Sequence, residues 1–505
     1  MGNQNTPSVP VVIELAPTLS ILATKENPAA QGFRRKIETG VSKVFIDLGI
    51  PGRPSIEIRT SQAVEAIRIL VHDFPQPYSE ELFRNLWEYC SQSSLGYLPL
   101  QYSPGDWLRE NVLNSDLSTE AEQPNPIVDF LALLVIEVIK QRPEQLLGSE
   151  QVVYHIERAR QKISEDKKSE GDILQKDQIE QIVKYLLNLK ISIADFLTIT
   201  ENIYEGVIQN LPSSHIEETL ATLLRPKTIE IIMDADYLQH VFNVTQDALP
   251  ISIYDSKIEG KVREQFILLT NGIFYELGIR LPDIVLAPSS SLKKNTFSIK
   301  INDTLCTPRI GLQTHQLLVN ATKERLAQSE IAISMTAANP SNNTECGLIE
   351  KNDESAIKKI KEIGLFSWDA VGFIILTLAS EIRKNAHCLL DTDTVEYELA
   401  LLHQAFPELI FSVLETVSIE RVTKILRSLL KEEISIRDLR AILERILTYD
   451  YILTDLGKYI VFDDRLAIHE SLNFNPQDDV YNYVQHVRAG LKKIYKPQIY
   501  LRTRK

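Results

Sequence analysis

The chain repeats itself, and that constrains its fold more than any other feature of the sequence. Asp47-Leu48-Gly49-Ile50, followed by Pro54 and the alternating Ile56-Glu57-Ile58, returns as Glu276-Leu277-Gly278-Ile279, Pro282 and Ile284-Val285-Leu286. Each copy reads as a helix ending at a glycine, a turn and then a strand. Ile136-Glu137-Val138-Ile139-Lys140 with Leu146-Leu147 returns as Ser380-Glu381-Ile382-Arg383-Lys384 with Leu389-Leu390. Around these segments Ile127, Phe130, Leu131, Leu134, Val135 and Val138 form one apolar helical face, and Val371, Ile374, Ile375, Leu378 and Ile382 form another. Asn125-Pro126 and Ser367 are the expected starts of these two helices.

The third correspondence is the sharpest. Leu186-Leu187-Asn188-Leu189-Lys190-Ile191-Ser192-Ile193-Ala194-Asp195 matches Leu429-Leu430-Lys431-Glu432-Glu433-Ile434-Ser435-Ile436-Arg437-Asp438. Ser192 with Asp195, and Ser435 with Asp438, have capping-box spacing, and Ile191 with Phe196 and Ile434 with Leu439 have staple spacing. These four polar residues are therefore expected to be structural helix caps and not catalytic groups. The offset between copies is 228 at Pro54 and Pro282 and 244 at Glu137 and Glu381, so the second copy holds about 16 more residues between strand and long helix. Ala337 to Ser355 is the natural place for part of that insertion. Asn114 to Pro124 and Ser164 to Gly171 read as solvated connections.

A protein of 505 residues exceeds one hydrophobic core. The expected class is α+β, as two tandem diverged copies of a multi-lobed module with small mixed sheets and helical bundles. A tail covers residues 1–10, a first module 11–225 and a second module 226–505. The segments beginning at Val11 and near Pro250 are expected to fold alike.

Several classes of function are excluded or unsupported. The formal charge of -14, with basic residues dispersed, argues against a nucleic-acid partner. The ending Arg502, Arg504 and Lys505 reads as a solvated basic terminus. Cys90, Cys306, Cys346 and Cys388 lie far apart without ligand spacing, so neither a metal site nor a disulfide framework is expected, and a reducing compartment fits. His387 and Cys388 are adjacent, and about 100° between neighbouring helical residues assigns one to the core and the other to the surface. No apolar run reaches the roughly 18 residues that span a bilayer, so the chain is expected not to cross a membrane. Gly2 with Thr6 matches a permissive myristoylation pattern. No glycine-rich phosphate loop, nucleophile signature or spaced ligand set is present. The histidines, among them His72, His155, His387 and His486, are scattered, so no catalytic or cofactor-binding residue is assigned.

The second copy resembles the cytoplasmic domain of the FHIPEP family, the large export-gate component of flagellar and type III secretion. The matching stretches are Val262 to Leu286, Asn295 to Ile301, Phe366 to Leu390 with Glu381-Ile382-Arg383-Lys384-Asn385-Ala386-His387, Val422 to Ile442, and Val480 to Lys493. The first copy is similar more weakly, through Val11 to Leu15, Leu48-Gly49-Ile50 and Ile56 to Val71. The resemblance implies a non-enzymatic, cytoplasmic protein, peripheral to a membrane-bound apparatus. It would engage secretion chaperone-substrate complexes or apparatus components and form homo-oligomeric rings. Set against the family pattern, the chain is expected to lack the membrane region and the final small lobe. The partner-binding residues are unknown from sequence, and the divergent lobe between about Lys294 and Glu350 is the expected place for them. A free-standing adaptor unconnected with secretion is the competing reading.

Overall fold

A computed structural model describes residues 7–24, 26–91, 126–162, 175–244, 250–449 and 480–491. The predicted loops at 114–124 and 164–171, the Gly2 to Thr6 pattern and the basic terminus lie outside these residues.

The first copy opens with strand β1 (Ser8–Leu15), whose Val9, Val11, Ile13 and Leu15 are fully buried at every second position. Helix α1 (Pro28–Leu48) follows. Asn27 caps it, its side chain accepting from the Ala29 and Ala30 N–H groups, and Pro28 occupies the first turn, where no N–H is needed. Phe33, Ile37, Val41, Phe45 and Leu48 make its buried stripe, and Gly49 ends it at φ 71. Strand β2 (Arg53–Thr60) returns parallel to β1, with Val11 opposite Ile56 and Ile13 opposite Ile58. On the other side of β1 lies antiparallel β3 (Ile67–Val71), joined to β4 (Phe74–Gln76) by a tight turn at His72 and Asp73, both at positive φ. The strand order is β2-β1-β3-β4. Helices α2 (Glu80–Ser91), α3 (Pro126–Gln141), α4 (Ser149–Lys162), α5 (Lys176–Asn188), α6 (Phe196–Ile208) and α7 (Ser213–Leu224) follow.

The second copy builds the same sheet again. Strand β5 (Thr228–Asp234) leads through α8 (Ala235–Phe242), the short strand β6 (Ile251–Ser252) and α9 (Gly260–Leu277) to β7 (Asp283–Ser289), which pairs parallel with β5. β8 (Thr296–Ile301) pairs antiparallel on the other side of β5 and turns at Asn302 into β9 (Thr304–Leu305). The path β7-β5-β8 with β9 repeats β2-β1-β3-β4, while β6 and β10 (Arg309–Ile310) extend the edges. The counterpart of β1 thus starts at Thr228, ahead of the expected Pro250. Its buried Ile229, Ile231 and Met233 match the alternation of Val11, Ile13 and Leu15.

A separate four-stranded sheet follows: β11 (Gln316–Val319), α10 (Lys323–Gln328), β12 (Met335–Ala338), β13 (Glu345–Glu350), α11 (Glu354–Glu362) and β14 (Ser367–Trp368), in the order β12-β13-β11-β14. Its core is its own, with Val319, Leu326, Ile349 and Ile360 buried together. Ser367 lies in β14 and does not start the next helix. Asp369 does, accepting from the Gly372 N–H at 3.0 Å. Helix α12 (Ala370–Leu389) buries Val371, Ile374, Leu378 and Ile382 as the periodicity requires. Then come α13 (Thr392–His403), α14 (Pro407–Thr416), α15 (Ile419–Lys431) and helices over 439–449 and 480–491.

Packing divides the chain differently from the repeat. One compact unit gathers described residues within Met1–Leu211, Leu224–Phe266 and Asp283–Glu381, and so contains both central sheets. The other gathers those within Pro212–Leu223, Ile267–Pro282 and Ile382–Lys505. The second unit holds a buried charge cluster, in which Arg427 donates to Glu218 at 2.7 Å and to the Leu390 carbonyl at 2.8 and 3.0 Å. Lys424 pairs with Glu217 beside it. Among the described residues no helix is long and apolar enough to cross a membrane.

Candidate partner-binding surfaces

The duplicated cap sequences fold into duplicated loops. Lys190 and Glu433 each take the left-handed conformation, at φ 61 and 58. After them the Ile193 N–H donates to the Leu48 carbonyl at 2.8 Å, and the Ile436 N–H to the Leu277 carbonyl at 2.9 Å. Each loop therefore ties the helix before the parallel strand to the helix that follows the loop. The helix starts fall three residues later than a capping box at Ser192 and Ser435 requires. Asp195 caps α6 by accepting from the Thr198 N–H and hydroxyl at 3.3 and 2.7 Å, and Asp438 accepts from the Ala441 N–H at 3.1 Å. Ser192 and Ser435 instead close short turns, each accepting an N–H two residues on at 3.3 Å. The backbone stays outside the helix at Ile193 and Ile436, whose N–H groups bond the neighbouring helix, and the helical start follows later.

Among the described residues the copies touch inside the first unit through several contacts, two clusters of which involve repeated sequence. At the first, the β8–β9 turn meets the first copy's loop. Asp303 Oδ2 accepts from the Ser192 N–H at 2.8 Å, the Asp303 N–H donates to the Lys190 carbonyl at 2.9 Å, and the Asn302 amide donates to the Leu189 carbonyl at 2.7 Å. Burial raises the Asp303 carboxyl above the usual range, and the Ser192 bond opposes that shift.

At the second, the repeated glutamates Glu137 and Glu381 converge on residues 306–309. Glu137 accepts from the Thr307 hydroxyl at 3.0 Å and pairs with Lys140 at 2.6 Å. Arg309, buried, stands 3.7 Å from Glu381 and 3.6 Å from Glu81 and donates to Asn85 at 3.1 Å. Burial lifts the Glu88 carboxyl to about 7 against the pull of Arg309, and burial followed by the charge of Glu381 lifts the Cys306 thiol to about 12. A thiol so protonated is a poor nucleophile, and the hydrogen bonds and ion pairs of this cluster join the two copies. Nothing in the repeat spacing marks Arg309 or Asn302 as contact residues.

His387 and Cys388 are not separated as helical geometry predicts. Asn385 departs from helical backbone, at φ -117 and ψ 16, and the His387 Nε2 atom lies 3.3 Å from the buried Cys388 sulfur. His155 stacks on Phe196 at 4.1 Å and bonds the Gly49 carbonyl at 3.2 Å, and burial lowers its pKa to about 4. His155 is buried and His387 half-buried. Among the described residues no cluster of three or more metal-ligating side chains occurs.

The small β12–β14 sheet carries exposed apolar side chains at both of its edges. β12 is an edge strand, and residues 331–344 carry no charge. Met335 on that edge is 61% exposed and Phe366, before β14, is 70% exposed. Edge strands are ordinarily protected by charges, proline or a covering element. An uncharged edge strand with a protruding apolar side chain, here Met335, is a candidate interaction surface, and Phe366 precedes the strand at the opposite edge.

The module thus defined is a tandem α+β protein with a small four-stranded sheet inserted in its second copy. The resemblance to the FHIPEP family read from sequence holds, with residues 240–470 matching that family. The chain is 22% identical to the flagellar biosynthesis protein FlhA of Bacillus subtilis (strain 168) over 241 residues, 47% of this chain and 34% of that protein. It is likewise 22% identical to the invasion protein InvA of Salmonella typhimurium over 238 residues, 47% of this chain and 29% of that protein. It therefore spans about a third of the length of these curated relatives. Similar solved structures include the CdsV protein of Chlamydia pneumoniae, with TM-score 0.39 and 20% identity over 53% of this chain and 67% of that one. Another is nonameric SctV-C from EPEC, with TM-score 0.34 and 15% identity over 53% and 65%.

Proposed function

We propose that this protein is a protein-binding component related to flagellar and type III protein export, acting without an active site of its own. The match of residues 240–470 to the FHIPEP family carries this reading. Its relatives in the curated set are flagellar and invasion or secretion proteins. The partners are proteins, secretion chaperone-substrate complexes or parts of the apparatus, and the protein works in the cytoplasm at the periphery of that apparatus as an oligomer. The β12–β14 lobe, inside the stretch Lys294 to Glu350 and just beyond it, receives them. Its support is the exposed apolar side chains Met335, on one edge strand, and Phe366, before the other, on a sheet with its own core.

Affinity capture from the native cell tests the reading. The full chain is the bait, because a cut at 225/226 would split the unit that contains both sheets. Wild-type chain is expected to retrieve secretion chaperones or apparatus proteins, and Met335→Glu with Phe366→Ala to lose them at an unchanged melting temperature. Capture restricted to proteins with no part in export would favour the adaptor reading.

A further inference from the structure

The three sheets differ in how their edges are closed. β2 carries Arg53, Pro54, Glu57 and Arg59, and β4 carries Pro75. β6, β9, β10 and β14 are two residues long each. Charge, proline and brevity all keep a further strand from adding to a sheet. Among the described residues β12 is the edge strand with none of these. Met335-Thr336-Ala337-Ala338 is four residues long, uncharged and without proline. The stretch from Ile331 to Thr344 around it adds no charge, and its one proline, Pro340, lies beyond the strand.

The ladder fixes which main-chain groups of β12 point outward. The Asn339 N–H donates to the Thr344 carbonyl at 2.9 Å, whereas the Gly347 N–H turns away from β12 to the Ala321 carbonyl at 3.0 Å. Thr336 stands opposite Gly347, and bonding groups alternate along an antiparallel pair. Met335 and Ala337 therefore face β13, while Thr336 and Ala338 turn their N–H and C=O groups outward. Among the described residues nothing bonds those outward groups. The Ser334 N–H also reaches the Leu348 carbonyl, at 2.9 Å, so two residues oppose one and the pairing ends there in a bulge. The bulge precedes Thr336 and leaves the outward groups of the strand open.

We infer that β12 takes an extended, uncharged segment of a protein partner as a further strand of this sheet. N–H and C=O groups offered by alternate residues match an extended main chain, which presents its own groups at the same spacing. A helix bonds its main-chain groups internally and has none to offer along its length. From Ile331 to Thr344 no charged side chain stands ready to pair a charge on the incoming segment, so burying one there is unfavourable and the paired residues are neutral. Side chains on one face of the added strand lie beside the exposed Met335, and an apolar residue suits that place. The inference rests on the proposed function only in seating a partner on this sheet, and it adds the form that the partner takes.

The probe is a fluorescein-labelled peptide of about eight alternating valine and threonine residues, titrated with the full chain and followed by anisotropy. Saturable binding is expected. Thr336→Pro removes an outward N–H and no ladder bond, so it should weaken binding about tenfold or more at an unchanged melting temperature. The same peptide methylated at its amides keeps the side chains and should not bind. Amide hydrogen exchange of wild type is the second readout and needs no variant: Thr336 and Ala338 should exchange freely in the chain alone and become protected by the peptide. No binding at about millimolar peptide, equal binding of the methylated peptide, or binding without protection of these two amides would each overturn the inference. If both amides are already protected in a chain that dimerises with concentration, the occupant is a second copy and the inference is also overturned. Capture from the cell is scored separately. Peptide binding without capture of any export protein sinks the transport reading alone, whereas capture that Thr336→Pro leaves intact, with no peptide bound, sinks this inference alone.

Discussion

Replacing Gly49 or Gly278 by alanine tests whether the duplicated sequence signals encode duplicated geometry. Both glycines sit in the left-handed region, at φ 71 and 81. A Cβ on Gly49 would lie 2.2 Å from the Ala194 nitrogen, and one on Gly278 would lie 2.4 Å from the Arg437 nitrogen, the equivalent atom of the other copy. An L-residue in that conformation costs about 1–2 kcal/mol. The obstructing atoms are backbone, so the loop must retreat and weaken the bond from Ile193 to Leu48, or from Ile436 to Leu277, at about 1 kcal/mol more. Each substitution should thus destabilise by about 2–3 kcal/mol. Gly32→Ala is the control, because it lies within α1 with nothing near its added methyl, and it should stabilise by up to about 1 kcal/mol. Urea unfolding followed by circular dichroism gives the three values. The reasoning fails if Gly49→Ala or Gly278→Ala costs no more than the control, or if one is costly and the other neutral.

Glu218→Ala removes the carboxylate that pairs with the buried Arg427 and should cost about 3–5 kcal/mol by urea unfolding, most of it recovered by Glu218→Leu with Arg427→Met. His155 titrates near 4 in the folded protein and near 6.5 when unfolded. Between those values the unfolded chain binds the extra proton, so this group's stabilisation is complete above about pH 6.5 and falls as pH drops toward 4. The loss is about 3 kcal/mol, and chemical denaturation of wild type and His155→Leu at pH 4.5 and 7 should show it only in wild type. Asp438→Ala should lower stability by about 1 kcal/mol as a lost helix cap, whereas Ser435→Ala, which removes only a turn bond, should lower it by less than that. Equal losses would return the cap to Ser435.

Local signals in the sequence determined the modules. Gly49 and Gly278 mark helix ends because only glycine takes their φ cheaply, and the periodic Val371, Ile374, Leu378 and Ile382 of α12 are buried while Ile375 is only half-buried and α3 is buried nearly all round. The export-gate resemblance was legible through the same loops, at Leu429 to Asp438 above all. The capping serines were misplaced because spacing does not show that Ile193 and Ile436 stay outside the helix and bond a neighbouring one. Three things belonged to tertiary structure alone. α7 joins the second unit through Glu218 and Arg427, residues 209 apart in the chain. Asn385 breaks its helix and brings His387 to Cys388. The Asp303 turn was spent on the first copy's loop while its twin Asp73 was left exposed. A repeat specifies each copy's local geometry twice over, but which of two equivalent surfaces is covered depends on contacts between residues far apart in sequence, and no local pattern records those.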